Sequence, residues 1–161
     1  MDSLHELCEV RDEVFDPSRR DTVLNLTDLI QDRINPRRFF ETNYVTSGMS
    51  TLLEKAFDRF SRRSKQGTFL LNQAMGGGKT HNMIALGLLA KHPELRDDVM
   101  NGYHDPNLGK IRVAAFTGRE SDAPLGVWGA IADQIGKKEQ FSDYYSPLSA
   151  PGQTAWENLL E

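Results

Sequence analysis

Cysteine and long apolar runs are nearly absent from this chain of 161 residues. Its single cysteine, Cys8, cannot form an internal disulfide, which fits a reducing cytoplasm. No segment approaches the ~20 apolar residues of a membrane span, and residues 1–6 lack the basic and then apolar order of a signal peptide. We therefore expect a cytoplasmic protein that is neither secreted nor inserted into a membrane.

A strong net charge is lacking too. The chain is 26% charged and 39% hydrophobic with a formal net charge of −4, as in an ordinary globular domain. Nucleic acid would therefore have to bind a local basic cluster, such as the one formed by Arg59, Arg62, Arg63 and Lys65. Cations at a helix end are more often a surface that suits the helix dipole. No zinc-ligand spacing and no nucleophile triad is apparent.

What the chain does contain is a glycine-rich loop. Residues 73–80 read Gln-Ala-Met-Gly-Gly-Gly-Lys-Thr, and we call them the glycine loop. Three successive glycines let the backbone fold around a polyphosphate with its N–H groups inward, and the helix that begins at Gly78 adds its positive end. Gln73 replaces the first glycine of the usual Gly-x-x-x-x-Gly-Lys-Ser/Thr pattern, which ordinary β dihedrals at that position would permit.

The residue types after the glycines suit a nucleoside triphosphate with Mg²⁺. Lys79 supplies a positive charge for the β- and γ-phosphates, and the Thr80 hydroxyl is placed to bind Mg²⁺. His81 either supports the site through a hydrogen bond or simply packs. The alternative is a flexible connector followed by a chance Lys-Thr pair. The predicted binding residues are Met75, Gly76, Gly77, Gly78, Lys79, Thr80 and His81, with Thr80 also the metal ligand.

The segments around the loop predict an α/β fold. Residues 68–72 and 111–118 have the apolar character of buried strands, and residues 83–90 that of a buried helix. A helix between two strands implies a right-handed βαβ unit, at whose carboxyl edge Glu120 could reach the attacking water or the metal. The predicted fold class is the N-terminal part of a P-loop NTPase parallel sheet flanked by helices, preceded by a mainly helical lead-in.

Helical periodicity appears on both sides of this unit. Apolar positions predict one helix within residues 22–34, a clearly amphipathic helix over residues 49–60 that is capped by residues 46–48, and a later helix closed by Gly136. Trp128 and Trp156 are expected in a core. Since only one further strand follows the loop, we divide the chain into a lead-in with one helix, residues 1–47, and an incomplete NTPase core, residues 48–161.

Three motifs in this order resemble a known family. They are the Gly-Gly-Gly-Lys-Thr-His core within residues 74–81, the aromatic segment of residues 39–49, and Val-Trp-Gly-Ala-Ile-Ala-Asp-Gln-Ile-Gly at residues 127–136. The chain resembles the large bacterial P-loop ATPases of phage-defence and restriction-like islands, long catalogued as a domain of unknown function. These look related to the AAA-type ATPases of BREX-like systems. The family pattern also lacks the first loop glycine.

The resemblance implies a protein several times longer, in which an ATPase domain begins here. It implies ATP as the nucleotide, an oligomeric ATPase, other subunits of a defence complex as partners, and DNA bound through the full-length protein. A carboxylate and an arginine finger beyond Glu161 would complete hydrolysis. No apolar run ending in Asp or Glu supplies that carboxylate here, so this part should bind ATP without turnover. Adenine contacts are expected from residues 40–45, with Tyr44 stacking on the base.

Two other functions fit such a loop. A small phosphoryl-transfer kinase suits the length, although 72 residues precede Gln73 and such enzymes usually begin near their loop. A non-hydrolysing scaffold would use ATP only for folding or assembly. DNA-stimulated phosphate release, phosphoryl transfer to a nucleoside, and retained ATP without turnover distinguish the three functions.

Overall fold

The computed structural model describes residues 24–72, 74, 76–118, 124–145 and 150–160. Regular structure in these ranges is helical, and none of these helices has both the length and the apolar character needed to cross a membrane. The α-helices are α1 (Leu26–Ile30), α2 (Pro36–Thr42), α3 (Ser47–Phe60), α4 (Lys79–Lys91), α5 (Arg96–Met100), α6 (Gly126–Gln134) and α7 (Gln153–Leu160), with 3-10 turns at Pro93–Leu95 and Lys138–Tyr144.

The helix α3 confirms the clearest periodic pattern in the sequence. Its N-cap is Thr46, whose hydroxyl accepts a hydrogen bond from the Met49 N–H at 3.2 Å. One face is buried, and it carries Met49, Leu52, Leu53, Ala56 and Phe57. These positions follow the spacing of one helical stripe, so the burial of that stripe against other helices stabilises α3.

The segment before α3 forms two short helices. Asn25 caps α1 in a capping box with Asp28, and Asp32 then takes a positive φ of 53°. Asn35 caps α2, whose first residue is Pro36. The helix predicted within residues 22–34 is therefore shorter than expected, because the caps define a different start and a turn ends it after Ile30.

A first core joins α1 to α5. Leu29 and Phe39 pack with residues of α3, α4 and α5, so this core crosses the predicted division at residues 47 and 48. The buried members are Leu29, Phe39, Met49, Leu53, Phe57, Ile84, Ala85, Leu88, Leu89, Leu95 and Met100.

A second, smaller core lies between α6, the 3-10 turn at Lys138–Tyr144 and α7. Ala132, Phe141 and Leu159 are its buried members. Trp128 and Trp156 pack against it with their ring centroids 5.8 Å apart and nearly perpendicular. The expectation that both tryptophans contribute to a core is confirmed, although each is only partly buried.

A fully buried arginine forms hydrogen bonds with two parts of the first core. Arg96 has 0% of its surface exposed, and its guanidinium donates to four backbone carbonyls. Two of these acceptors are the carbonyls of Leu89 (2.8 Å) and Ala90 (3.1 Å) in the last turn of α4. The other two are the carbonyls of Leu108 and Gly109, in the connection that follows α5. The Arg96 side chain thus donates to carbonyls that the C-terminal turn of α4 leaves without an intrahelical partner. It also holds the connection after α5 against that helix end.

An aromatic ring completes the surroundings of this guanidinium. The Arg96 Cζ lies 5.0 Å from the ring centroid of Phe57, within the range of a cation–π contact. Burial lowers the pKa of Arg96, and the charge of Glu94 opposes that shift. Arg96 therefore connects α3, α4 and the connection after α5 through one planar group.

The predicted parallel sheet is wrong, because the described ranges contain no strand. A strand needs a neighbour that pairs with its N–H and C=O groups, and apolar character alone does not supply one. Leu70, in the first predicted strand, is 88% exposed. In the second, the N–H and C=O of Ala115 bond to the side-chain amide of Gln134 at 2.9 and 2.8 Å. The predicted βαβ unit is therefore also absent from these ranges.

Replacement of Arg96 by methionine tests its role in stability. We expect Arg96→Met to lower the free energy of unfolding by about 3 kcal/mol, because four buried or partly buried carbonyls lose the guanidinium as a donor, although the Ala90 carbonyl keeps the Ile111 N–H. The midpoint of urea unfolding at constant slope measures this change. Arg112→Met is the matched control, since Arg112 is exposed and its hydrogen bond to the Leu160 carbonyl is long, at 3.5 Å. Equal midpoints for the two variants would contradict the assignment.

Candidate functional site

The glycine loop folds as a tight turn before α4. The Gly77 N–H donates to the Ala74 carbonyl at 3.0 Å, which closes a four-residue turn. Gly76 has a φ of 81° and Gly78 a φ of 78°, so both occupy the left-handed region that favours glycine. Gln73 and Met75 lie outside the described residues, and their predicted roles stay predictions.

The space beside these two glycines is open. Among the residues that the structure describes, a Cβ at Gly76 or Gly78 would meet no heavy atom within 4 Å. Gly76 and Gly77 are also exposed to solvent. A ligand can therefore approach the loop backbone closely, as contacts between main-chain amides and an anion require.

The ammonium group of Lys79 lies back across the turn. Its Nζ donates to the Ala74 carbonyl at 2.9 Å, the same oxygen that accepts the Gly77 N–H. The Gly77 N–H and the Lys79 ammonium thus share one acceptor, the Ala74 carbonyl. A positive charge is placed where the open backbone faces solvent.

The first turn of α4 presents the positive end of a helix to the loop. The helix has Gly78 as its N-cap, and its first intrahelical bond runs from the Asn82 N–H to the Gly78 carbonyl at 2.9 Å. A glycine offers no side chain to cap the first N–H groups, and no acidic residue occupies this turn. Thr80, partly buried, belongs to the same turn. The predicted start of this helix is confirmed.

His81 packs on an aromatic side chain. Its ring stacks on that of Phe39 with centroids 6.0 Å apart and an angle of 29° between the planes. Phe39 is buried in the first core, so α2 supports the first turn of α4. Phe39 was not among the residues predicted for the site, although its place in an aromatic segment was a usable signal.

The basic cluster lies at the end of α3 and comprises Arg59, Arg62, Arg63 and Lys65. Two of these arginines contact residues outside the glycine loop. Arg63 pairs with Asp58 at 3.0 Å and lies 5.5 Å from the ring centroid of Tyr103. Arg59 donates to the Ser64 carbonyl at 3.4 Å. These local contacts are those of a helix-end surface, and its binding to DNA stays a prediction.

Candidate metal ligands are sparse in the part of the chain that the structure describes. There, no group of three or more His, Cys, Asp or Glu residues is arranged to hold a metal ion. Arg119 and Glu120, which the sequence places after the second predicted strand, lie outside the described residues. A role of Glu120 toward the attacking water or the metal therefore stays a prediction.

Comparison with known proteins gives one match. Residues 2–113 match the family model described as "DUF499 N-terminal domain", which covers more than half of the chain and includes the whole glycine loop. No curated protein and no solved structure matches the chain.

Substitution of Gly78 tests the conformation of the loop. We expect Gly78→Ala to lower stability by about 1 kcal/mol, because a Cβ is strained at positive φ even where space is open. Gly48→Ala is the control, since Gly48 lies inside α3 with the same open surroundings. There alanine should stabilise by up to about 1 kcal/mol. Thermal or urea unfolding of both variants measures the contrast, and a stabilised Gly78→Ala would refute the assigned backbone.

Proposed function

The chain belongs to the DUF499 N-terminal domain family, and from that premise we propose that its glycine loop binds the triphosphate of ATP. The observation that carries the proposal is the turn at Gly76, Gly77 and Gly78 with the Lys79 ammonium lying across it. Three features of an anion site coincide there: glycine backbone open to solvent, an uncapped helix start and a cation.

The charge of Lys79 and the accessible glycine backbone suit a triphosphate. Lys79 would exchange the Ala74 carbonyl for phosphate oxygens, and bonds between an ammonium and a charged oxygen are stronger than those to a neutral carbonyl. The first turn of α4 and the loop amides other than that of Gly77, which is paired with the Ala74 carbonyl, would hold the remaining oxygens without added side chains. The site therefore acts by position and charge, as phosphate loops do.

Magnesium would enter this site with the nucleotide. Thr80 is the protein ligand we assign to it, since hydroxyl and phosphate oxygens suit this hard cation. The ion usually keeps several waters and phosphate ligands, so one protein oxygen is sufficient. When bound, Mg²⁺ supplies neutralisation of phosphate charge.

The wider role follows from the resemblance to defence-island ATPases. We place the chain in a cytoplasmic, oligomeric ATPase that drives a nucleic-acid-directed phage-defence system with other subunits. The glycine loop supports the nucleotide part of this role. DNA-stimulated phosphate release by the full-length protein, absent in a Lys79→Ala variant, would support the rest.

Removal of the Lys79 charge tests ATP binding directly. We expect Lys79→Ala to weaken Mg-ATP binding at least about a hundredfold, because two charge-assisted hydrogen bonds of roughly 1.5 kcal/mol or more are lost. Titration calorimetry of the 161-residue chain measures the affinity. Lys55→Ala, on the exposed side of α3, should bind ATP as the wild type does. Wild-type affinity in Lys79→Ala would refute the proposal.

A further inference from the structure

A cavity lies between the end of α2 and α5. Its volume is about 500 Å³, which is within the range of small-molecule sites. Aromatic and aliphatic side chains form much of its wall, and one amide and three charged groups complete it. The lining residues are Arg37, Phe40, Glu41, Asn43, Tyr44, Val45, Leu95, Asp98 and Val99.

The aromatic side chains of this cavity can stack on a flat ligand. Tyr44 is 86% exposed although it is a large aromatic residue, and Phe40 is half-buried beside it. An exposed ring at the mouth of a cavity is accessible to a flat ligand, which could stack on its face. Val45, Leu95 and Val99 add apolar surface.

The charges of the cavity favour a base over phosphate. Glu41 and Asp98 outnumber Arg37, so the formal charge of the lining is negative. Carboxylates repel phosphate and accept hydrogen bonds from an amino group. The glycine loop has the opposite character, with Lys79 and a positive helix end. The two sites therefore suit the two ends of one nucleotide.

A short series of ring contacts connects the cavity to the loop. The Phe40 ring meets the Phe39 ring edge to face at a centroid distance of 5.1 Å. Phe39 in turn stacks on His81, the residue after Thr80. Because α2 contributes both Phe39 to the first turn of α4 and Phe40 to the cavity, one short helix links the cavity to the helix start that we propose as a phosphate site.

We propose that this cavity binds the base of the nucleotide, an adenine, between Tyr44 and Phe40 with its amino group toward Glu41 and Asp98. This inference rests on the proposed binding of a triphosphate at the glycine loop. It extends that proposal by naming the group that distinguishes ATP from other polyphosphates.

Two ligands distinguish binding of the base from binding of the phosphates. Mg-ATP and magnesium tripolyphosphate, which has no base, are titrated into the wild-type chain and into Tyr44→Ala. We expect Tyr44→Ala to weaken ATP binding about tenfold, a typical loss for one stacked base, and to leave tripolyphosphate binding within twofold. Tyr44→Phe keeps the ring and should keep the affinity for ATP. Tyr103→Ala removes a tyrosine from another surface and should change neither ligand.

The outcomes distinguish the two proposals. If tripolyphosphate binds and Tyr44→Ala does not change ATP affinity, the base site is wrong and the phosphate site stands. If Tyr44→Ala weakens both ligands equally, the residue does not contact the base and the inference again fails. A wild-type chain that binds neither ligand refutes both proposals. Inosine triphosphate, which has an oxygen in place of the amino group, should bind about tenfold more weakly than ATP. Equal binding would overturn the adenine assignment.

Discussion

The burial of the Arg96 guanidinium is the interaction on which the arrangement of the first core depends. A charge in this position is tolerable only because four carbonyls and an aromatic face replace the water that it loses. Those carbonyls belong to the end of α4 and to the connection beyond α5, and the ring belongs to α3. The orientation of α4 is therefore fixed at its C-terminal end, while its N-terminal end carries the glycine loop.

The candidate site depends on local backbone chemistry rather than on a sheet. Positive φ at Gly76 and Gly78 shapes the turn, and the first turn of α4 adds its dipole. Tertiary structure contributes mainly through Phe39, which lies beneath His81 and links the first core to this turn. The proposed anion site thus rests on a turn and a helix start, in a chain whose described residues contain no paired strand.

The sequence predicted features whose cause is local. The stripe of α3, the start of α4 at the glycines and the left-handed Gly136 follow from periodicity and from backbone preferences. The strands predicted at residues 68–72 and 111–118 were wrong, because strand pairing depends on distant partners that apolar character does not reveal, and Ala115 bonds instead to the side chain of Gln134. Arg96 is similar: nothing in its neighbouring residues distinguishes a buried guanidinium from an exposed one.

The hydrogen bond between the Lys79 ammonium and the Ala74 carbonyl has a thermodynamic consequence for recognition. A lysine side chain that moves freely in solvent gives up as much as ~2 kcal/mol of rotamer entropy when a ligand immobilises it. Here part of that ordering already belongs to the folded state, so an anion at the proposed site would gain this cation at a smaller cost in entropy. Preorganisation of this kind raises affinity without adding a single contact.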